Sequence, residues 1–372
     1  MKILSAVLNN IETDQRLDKV CHSLLKFGYN VELIGATLYG KPQLNKPYKT
    51  FLMEQKFQSS MKKYIEFNLK LFFTLLKKAD KNTILLANDL DSLLPFYLVS
   101  KIRRLPLVFD SHEIYSELPS LHDRPKTKKA WKTLERFLVP KVKHFYTVSD
   151  GYANWFHQEY GTHPAVIRNV PNRIKLNDQQ DIIVFNLPKN PNNEKILLYQ
   201  GAINPSRGID KMIEAFQYVG NCQFWIAGDG PKKAEYEELV QKYNLSNRIH
   251  FLGNIPPKTL KTITPLADVG MSMEEDLGLS YRYALPNKLF DFIQANVPVL
   301  ATNLTEKKKT VEEYNVGKVI ENHEPKHLAE KLQELLNEGK KSYQDQLKKA
   351  ANELCWENEE SRLKEIFEKA KL

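Results

Sequence analysis

Short apolar runs alternate with stretches of helical periodicity along almost the whole chain. Residues 2–7 (KILSAV) form one such run, and 30–35 (NVELIG), 83–88 (TILLAN), 107–110 (LVFD), 144–149 (HFYTVS) and 165–169 (AVIRN) repeat it. Runs this short, bounded by Gly, Asn and Asp, read as buried strands, each followed by a helix or turn. After the first strand, Leu17, Val20, Cys21, Leu24 and Leu25 fall at helical spacing. Thr13 or Asp14 supplies the cap at its start, and Gly28 ends it. Residues 57–79 predict an amphipathic basic helix or helix pair.

The rhythm breaks at 171–194, where prolines and asparagines cluster, and resumes with a second set of strands. These lie at 195–201, 223–230, 248–254, 267–273, 298–302 and 317–320, with helices between them. Lysine- and glutamate-rich helical stretches finish the chain, and the last, 356–371, is separate enough to pack elsewhere. Strand–helix alternation implies parallel α/β architecture. The expected domains are 1–174, a linker at 175–194, 195–354, and a terminal helix at 355–372. No repeat of about 20–50 residues is present, which excludes solenoids and propellers.

Composition narrows the class. A chain of 372 residues suits two domains, and 42% hydrophobic with 27% charged residues is an ordinary globular balance. No apolar run approaches the ~20 residues that span a bilayer. The opening MKILSAVLNN reads as a first strand rather than a signal peptide. Cys21, Cys222 and Cys355 are far apart without metal-like spacing, so a cytoplasmic, reduced, metal-free protein is expected. The net charge of +9 favours anionic partners such as nucleotide phosphates, nucleic acid or an acidic membrane face. Because the lysines are spread along the chain, solvated faces account for most of them.

Four segments carry candidate chemistry, all at the carboxyl ends of expected strands, where open parallel sheets hold ligands. At 197–216 a strand runs into Gly201, then a loop, then Arg207 and Gly208 at a helix start. Small residues admit backbone amides to a phosphate, and Arg207 adds a planar cationic fork. At 224–231 a strand ends in Gly228-Asp229-Gly230-Pro231, a tight turn that also suits a nucleotide lying close to the backbone. At 281–303 Pro286 and Asn287 start a helix, Lys288 adds charge, and Asp291 one turn in is placed to accept from ribose hydroxyls. Asn296 stands where a left-handed terminator is needed. At 107–115 His112 and Glu113 follow a strand, and His112 is a candidate to act on, or hydrogen-bond to, a sugar hydroxyl.

Taken in order, YQG, RG, AGDGP, FLG, LPNKLFD and PVLAT resemble the donor half of family-4 glycosyltransferases of the GT-B fold. TDQRLDK, FDSHE and VIRNVPN look like a bacterial, surface-glycan branch of that family. The resemblance implies two Rossmann-like domains facing each other across a cleft, with the C-terminal helix crossing back to the N-terminal domain. It implies a retaining enzyme that moves a sugar from a nucleotide-sugar donor to a glycan or lipid-linked acceptor, without a catalytic metal. By the same resemblance Arg207 meets the donor diphosphate, Asp291 the ribose, His112 the donor sugar, and Gly228, Asp229 and Gly230 the base.

Some positions depart from the family pattern. The usual Gly-Arg pair is Gly201-Ala202 here, with Lys288 the expected replacement cation. Counting back from Asp291 puts Tyr283 where the first acid of an acidic pair often lies, while Glu274 and Glu275 align only with an insertion. The first loop, Leu8-Asn9-Asn10, lacks the paired glycines often seen there. Alternatives are a catalytically inactive nucleotide-sugar-binding protein, suggested by Ala202 and Tyr283, and a nucleotide-sugar epimerase on the same fold. The basic 57–79 segment is expected either to face an anionic membrane or to pack its apolar side into the core.

Overall fold

A computed structural model describes residues 1–9, 11–12, 14–37, 45–173 and 187–371. The chain divides into two units: Met1–Arg168 together with Glu359–Leu372, and Asn169–Asn358. Most of the expected linker at 175–194 lies outside the described residues, as do Thr13 and Asn10.

The first unit runs β1 (Lys2–Ala6), α1 (Gln15–Lys26), β2 (Asn30–Thr37), β3 (Lys49–Glu54), α2 (Ser60–Lys78), β4 (Thr83–Asn88), α3 (Leu90–Arg103), β5 (Leu107–Ser111), α4 (Pro125–Leu138), β6 (His144–Thr147), α5 (Asp150–Tyr160) and β7 (Ala165–Val166). Its strands order as β3-β2-β1-β4-β5-β6-β7, all parallel. β4 and β5 are buried along their whole length, with apolar centres, as strands covered on both faces must be. Asp14 caps α1 by accepting from the Leu17 amide at 3.0 Å. The order reverses direction between β1 and β4, so the loops after those strands flank the switch point where α/β sheets bind ligands.

The second unit runs β8 (Lys195–Gln200), α6 (Ile209–Ala215), β9 (Cys222–Ala227), α7 (Lys233–Lys242), β10 (Ile249–Gly253), α8 (Pro257–Ile263), β11 (Val269–Ser272), α9 (Leu279–Arg282), α10 (Asn287–Gln294), β12 (Val299–Thr302), α11 (Thr305–Tyr314), β13 (Gly317–Ile320), α12 (Pro325–Glu338), α13 (Gln344–Glu353) and α14 (Trp356–Ala370). Its parallel sheet orders as β10-β9-β8-β11-β12-β13, with the switch between β8 and β11. Gly270 on β11 lets α10 close in: a Cβ there would sit 2.3 Å from the Phe292 ring. Asn296 takes φ +55 just past α10, as its left-handed role requires. From Glu359 onward α14 groups with the first unit, where Glu359 accepts from the Arg168 amide and Phe367 packs edge-on against Tyr29.

Two details differ from the sequence reading. β3, an edge strand, has an alternating and mostly solvent-facing pattern (KTFLME) that no apolar run announces. The 57–79 segment forms the single helix α2, whose Phe67, Leu71 and Leu75 face the core. A second apolar row on the same helix, Met61, Ile65, Leu69 and Phe73, is 41–65% exposed. Core packing and an outward apolar face therefore coexist on it.

Candidate functional site

In the second unit the loops after β8 and β9 interlock. The Gly201 amide donates to Ala227 O (2.9 Å) and the Ile203 amide to Asp229 O (2.9 Å). Gly228 has φ +153, and a Cβ there would lie 1.9 Å from Gly201 O. A Cβ on Gly230 would lie 2.5 Å from Ile203 O. These two glycines are thus required by the chain's own backbone. Asp229 is exposed and accepts from the Gly230 amide at 2.7 Å. Gly208, at φ +72, begins α6 against Met273 O, which would sit 2.5 Å from an added Cβ.

The chemistry gathers at the switch point. Lys288, on the first turn of α10, is 2.9 Å from the Glu274 carboxylate, and its ammonium lies 4.1 Å over the Tyr199 ring. The same ammonium is 3.7 Å from where Gly201 would carry a Cβ. Arg207 is 3.7 Å from Glu274 and sits over the Tyr281 ring at 5.6 Å. Lys307, from α11, is 2.6 Å from Glu274 and donates to Ser272 O. Gly201, Arg207 and Lys288 therefore converge, as the sequence motifs imply. Burial opposes the charge on Glu274, but Lys288 and Lys307 hold its carboxyl well below the usual range. Burial pulls the Lys307 ammonium down against the opposing pull of Glu274.

One carboxylate therefore faces three cations, and the surplus is what an anion would neutralise. The first turn of α10 adds amides: its N-cap is Pro286, and no side chain caps it. Asn287 accepts from the Asn169 side chain at 2.8 Å. Asp291 is half-buried and accepts from Gln200 at 3.2 Å, while Gln200 in turn accepts from Thr264.

Glu274, one of three candidate donor-sugar contacts, sits inside the cation cluster. Glu274 is buried, and its oxygens face Lys288, Lys307, Arg207 and the Ser272 hydroxyl. It orders cations rather than presenting a carboxylate. Glu275 is half-buried, with its amide donating to Ser206 O, and Tyr283 closes α9. Lys307 was missed because it stands in a Lys307-Lys308-Lys309 run that reads as solvated.

In the first unit the loops after β4 and β5 carry a second ionic cluster. Asp89 accepts from the His112 amide at 2.8 Å and lies 3.2 Å from His112 Nδ1. His112 Nε2 is 2.8 Å from Asp110. Arg16, from α1, forks onto Asp110 at 2.8 and 3.1 Å and donates a third bond to Ile167 O. Asp89 adopts φ +60, a strained conformation for a non-glycine residue. Burial alone would lower the His112 pKa, but Asp110 and Asp89 raise it well above its ordinary 6.5. Both ring nitrogens face carboxylates, which favour the protonated ring. Arg16 and Asp110 lie within quoted motifs, but Asp89, one residue past the strand read as TILLAN, was missed.

Among the described residues no group of three or more His, Cys, Asp or Glu side chains is arranged to hold a metal ion. No described helix is long and apolar enough to cross a membrane.

Comparison with known proteins addresses the family and the fold. Residues 15–178 match the model of Glycosyltransferase Family 4, and residues 181–354 that of Glycosyl transferases group 1. Sucrose-phosphate synthase from Thermosynechococcus elongatus superposes with a TM-score of 0.79 at 16% identity, over 99% of this chain and 98% of that one. The Anabaena protein HepE, solved in complex with UDP, superposes with a TM-score of 0.73 at 14% identity, over 99% of this chain and 100% of that one. At such identities the likeness establishes the fold. Two parallel Rossmann-like sheets of seven and six strands make this a GT-B architecture. The chain belongs to the family-4 glycosyltransferases. The alpha-D-kanosaminyltransferase of Streptomyces kanamyceticus is 25% identical over 149 residues, 38% of this chain and 36% of that protein. The match thus spans about a third of that relative's length.

Proposed function

We propose that this chain transfers a sugar, with retention of anomeric configuration, from a nucleotide-diphosphate-sugar to a hydroxyl of a glycan or lipid-linked acceptor. The observation that carries this reading is the cation surplus of Arg207, Lys288 and Lys307 over Glu274 at the β8/β11 switch point. As the bond from anomeric carbon to diphosphate breaks, negative charge grows on the leaving oxygen. Fixed cations and the α10 amides stabilise that charge without reorganising, which lowers the barrier. Arg207 and Lys288 take the diphosphate, and Asp291 takes the ribose. Gly201 and Gly208 let the two loops approach it. The held charge of His112 serves the donor sugar electrostatically rather than as a base. The reaction as proposed needs no metal, because these side chains supply the positive charge.

The HepE complex with UDP and the kanosaminyltransferase match support a nucleotide-sugar donor and a glycosyl product. We place the protein in the cytoplasm, peripheral to the inner face of the membrane, in bacterial surface-glycan synthesis. The exposed apolar row of α2 supports that placement. Nucleic acid is not a partner in this reading.

Thermal-shift screening with UDP-, GDP-, ADP- and CDP-sugars tests it. One nucleotide is expected to stabilise the protein, and Arg207→Ala to reduce the shift. No shift with any of them rejects the reading. A second reading, a binding protein without turnover, rests on Ala202 and Tyr283. A donor that binds but is neither hydrolysed nor transferred would favour it.

A further inference from the structure

Between helices α2, α3 and α4 of the first unit lies a cavity of about 350 Å³. That volume falls within the range of small-molecule sites. Ile65 and Leu69 of α2, Leu94 of α3 and Leu134 of α4 make its body apolar. Tyr64 and Trp131 add an aromatic wall, their rings meeting edge-on at 5.1 Å, and Tyr115 backs Trp131 at 5.2 Å.

The charged residue on this wall is an acid. No lysine or arginine is among the described residues that line the cavity. Asp91, in the first turn of α3, is 6% exposed, and its Oδ1 is buried without a hydrogen-bond partner. The neighbouring amide does not supply one, because Asn68 spends its donors on Tyr64 O and Asp91 O, both at 2.8 Å. A buried acceptor left unpaired costs free energy that a donor on a ligand recovers.

Charges around Asp91 are mostly of its own sign. Burial, then Asp89 before α3, push its carboxyl up to about 7, and Glu113 after β5 acts the same way. The Tyr115 hydroxyl donates to the carboxyl, and Lys63 of α2, 4.7 Å over the Tyr64 ring, also pulls the other way. The Tyr64 hydroxyl, held neutral by burial and by Asp91, adds no charge. Above neutrality the cavity thus holds a carboxylate that has no ion pair among the described residues.

We propose that this cavity binds a small apolar ammonium ion, whose nitrogen donates to Asp91 Oδ1 and whose hydrocarbon part packs among Ile65, Leu69, Leu94 and Leu134. The faces of Tyr64 and Trp131 add attraction for the cation. Asp91 repels an anion, and a plain hydrocarbon leaves Oδ1 unpaired. The site lies within the first unit and does not rest on the transferase reading.

Calorimetric titration of the full chain with 2-phenylethylamine and its neutral counterpart 2-phenylethanol tests the proposal. At pH 8 the amine is expected to bind saturably and the alcohol at least about tenfold more weakly. At pH 6 the amine should bind about tenfold more weakly than at pH 8, because Asp91 must first release its proton while an alkylammonium stays charged throughout. Asp91→Asn should weaken the amine about tenfold, leave the alcohol nearly unchanged and remove the pH dependence. Ala130→Phe, at an exposed position on the cavity wall, should weaken both probes with circular dichroism unaltered. Absence of saturable binding by the amine, or binding indifferent to Ala130→Phe, overturns the site. Equal affinity for amine and alcohol overturns the charge pairing. A pH dependence that survives Asp91→Asn belongs to Glu113 or His112 and overturns the assignment to Asp91.

Discussion

The two units place an ionic cluster at equivalent points of similar sheets, yet the clusters differ in balance. In the first unit Arg16 and His112 face Asp89 and Asp110, two charges against two. In the second, Glu274 alone faces Arg207, Lys288 and Lys307. A balanced buried network satisfies itself and fixes the loops around it. An unbalanced one holds charge that a ligand completes, so the count of partners separates positioning from binding.

The largest expected effect tests the unbalanced side. Glu274→Ala leaves Lys307 buried without its counter-ion and should cost about 3–5 kcal/mol in urea unfolding. A cost no greater than that of His112→Ala would break the distinction between the clusters. Next comes acid. Burial opposes ionisation of Asp110, but Arg16 and His112 lower its pKa from 3.8 to about 2. Its contribution is complete above the ordinary carboxyl value and is lost as pH falls through about 2, worth about 2–3 kcal/mol. Glu274 loses its contribution in the same direction. The raised His112 has the opposite sign: its contribution is complete below 6.5 and is lost as pH rises through its elevated value. Stability measured from pH 5 to pH 2 should fall, and an Asp110→Asn variant should show a flatter acid limb.

Smaller effects concern the ligand. Arg207→Ala and Lys288→Ala should each weaken nucleotide diphosphate binding by about 1.5–3 kcal/mol, with the fold retained. An unchanged calorimetric dissociation constant would remove the residue from the site. His112→Ala should lower turnover by about tenfold while altering donor affinity little, on the order of 1.4 kcal/mol in the barrier alone. Equal turnover would confine the first cluster to holding its loops.

Much of this molecule is written locally. Buried strands announce themselves as apolar runs closed by Gly, Asn or Asp, and Gly201 and His112 follow such runs directly, with Arg207 and Lys288 in the segments that come next. Parallel topology then gathers the strands' carboxyl ends, so the donor-side motifs were legible as neighbours. Their meaning was not. Whether Glu274 reached outward or was enclosed depended on Lys307, 33 residues away across a crossover. The state of His112 depended on Asp89 and on Arg16, which reaches Asp110 across 94 residues. The outward row of α2 looked like an alternative to a core face until packing showed both on one helix. The sequence by itself determined the strands, helices and candidate ligand loops, because periodicity and turn chemistry act between near neighbours. Only the tertiary structure decided which charges are buried, paired or in surplus, because desolvation and ion pairing depend on what the fold brings within a few ångströms.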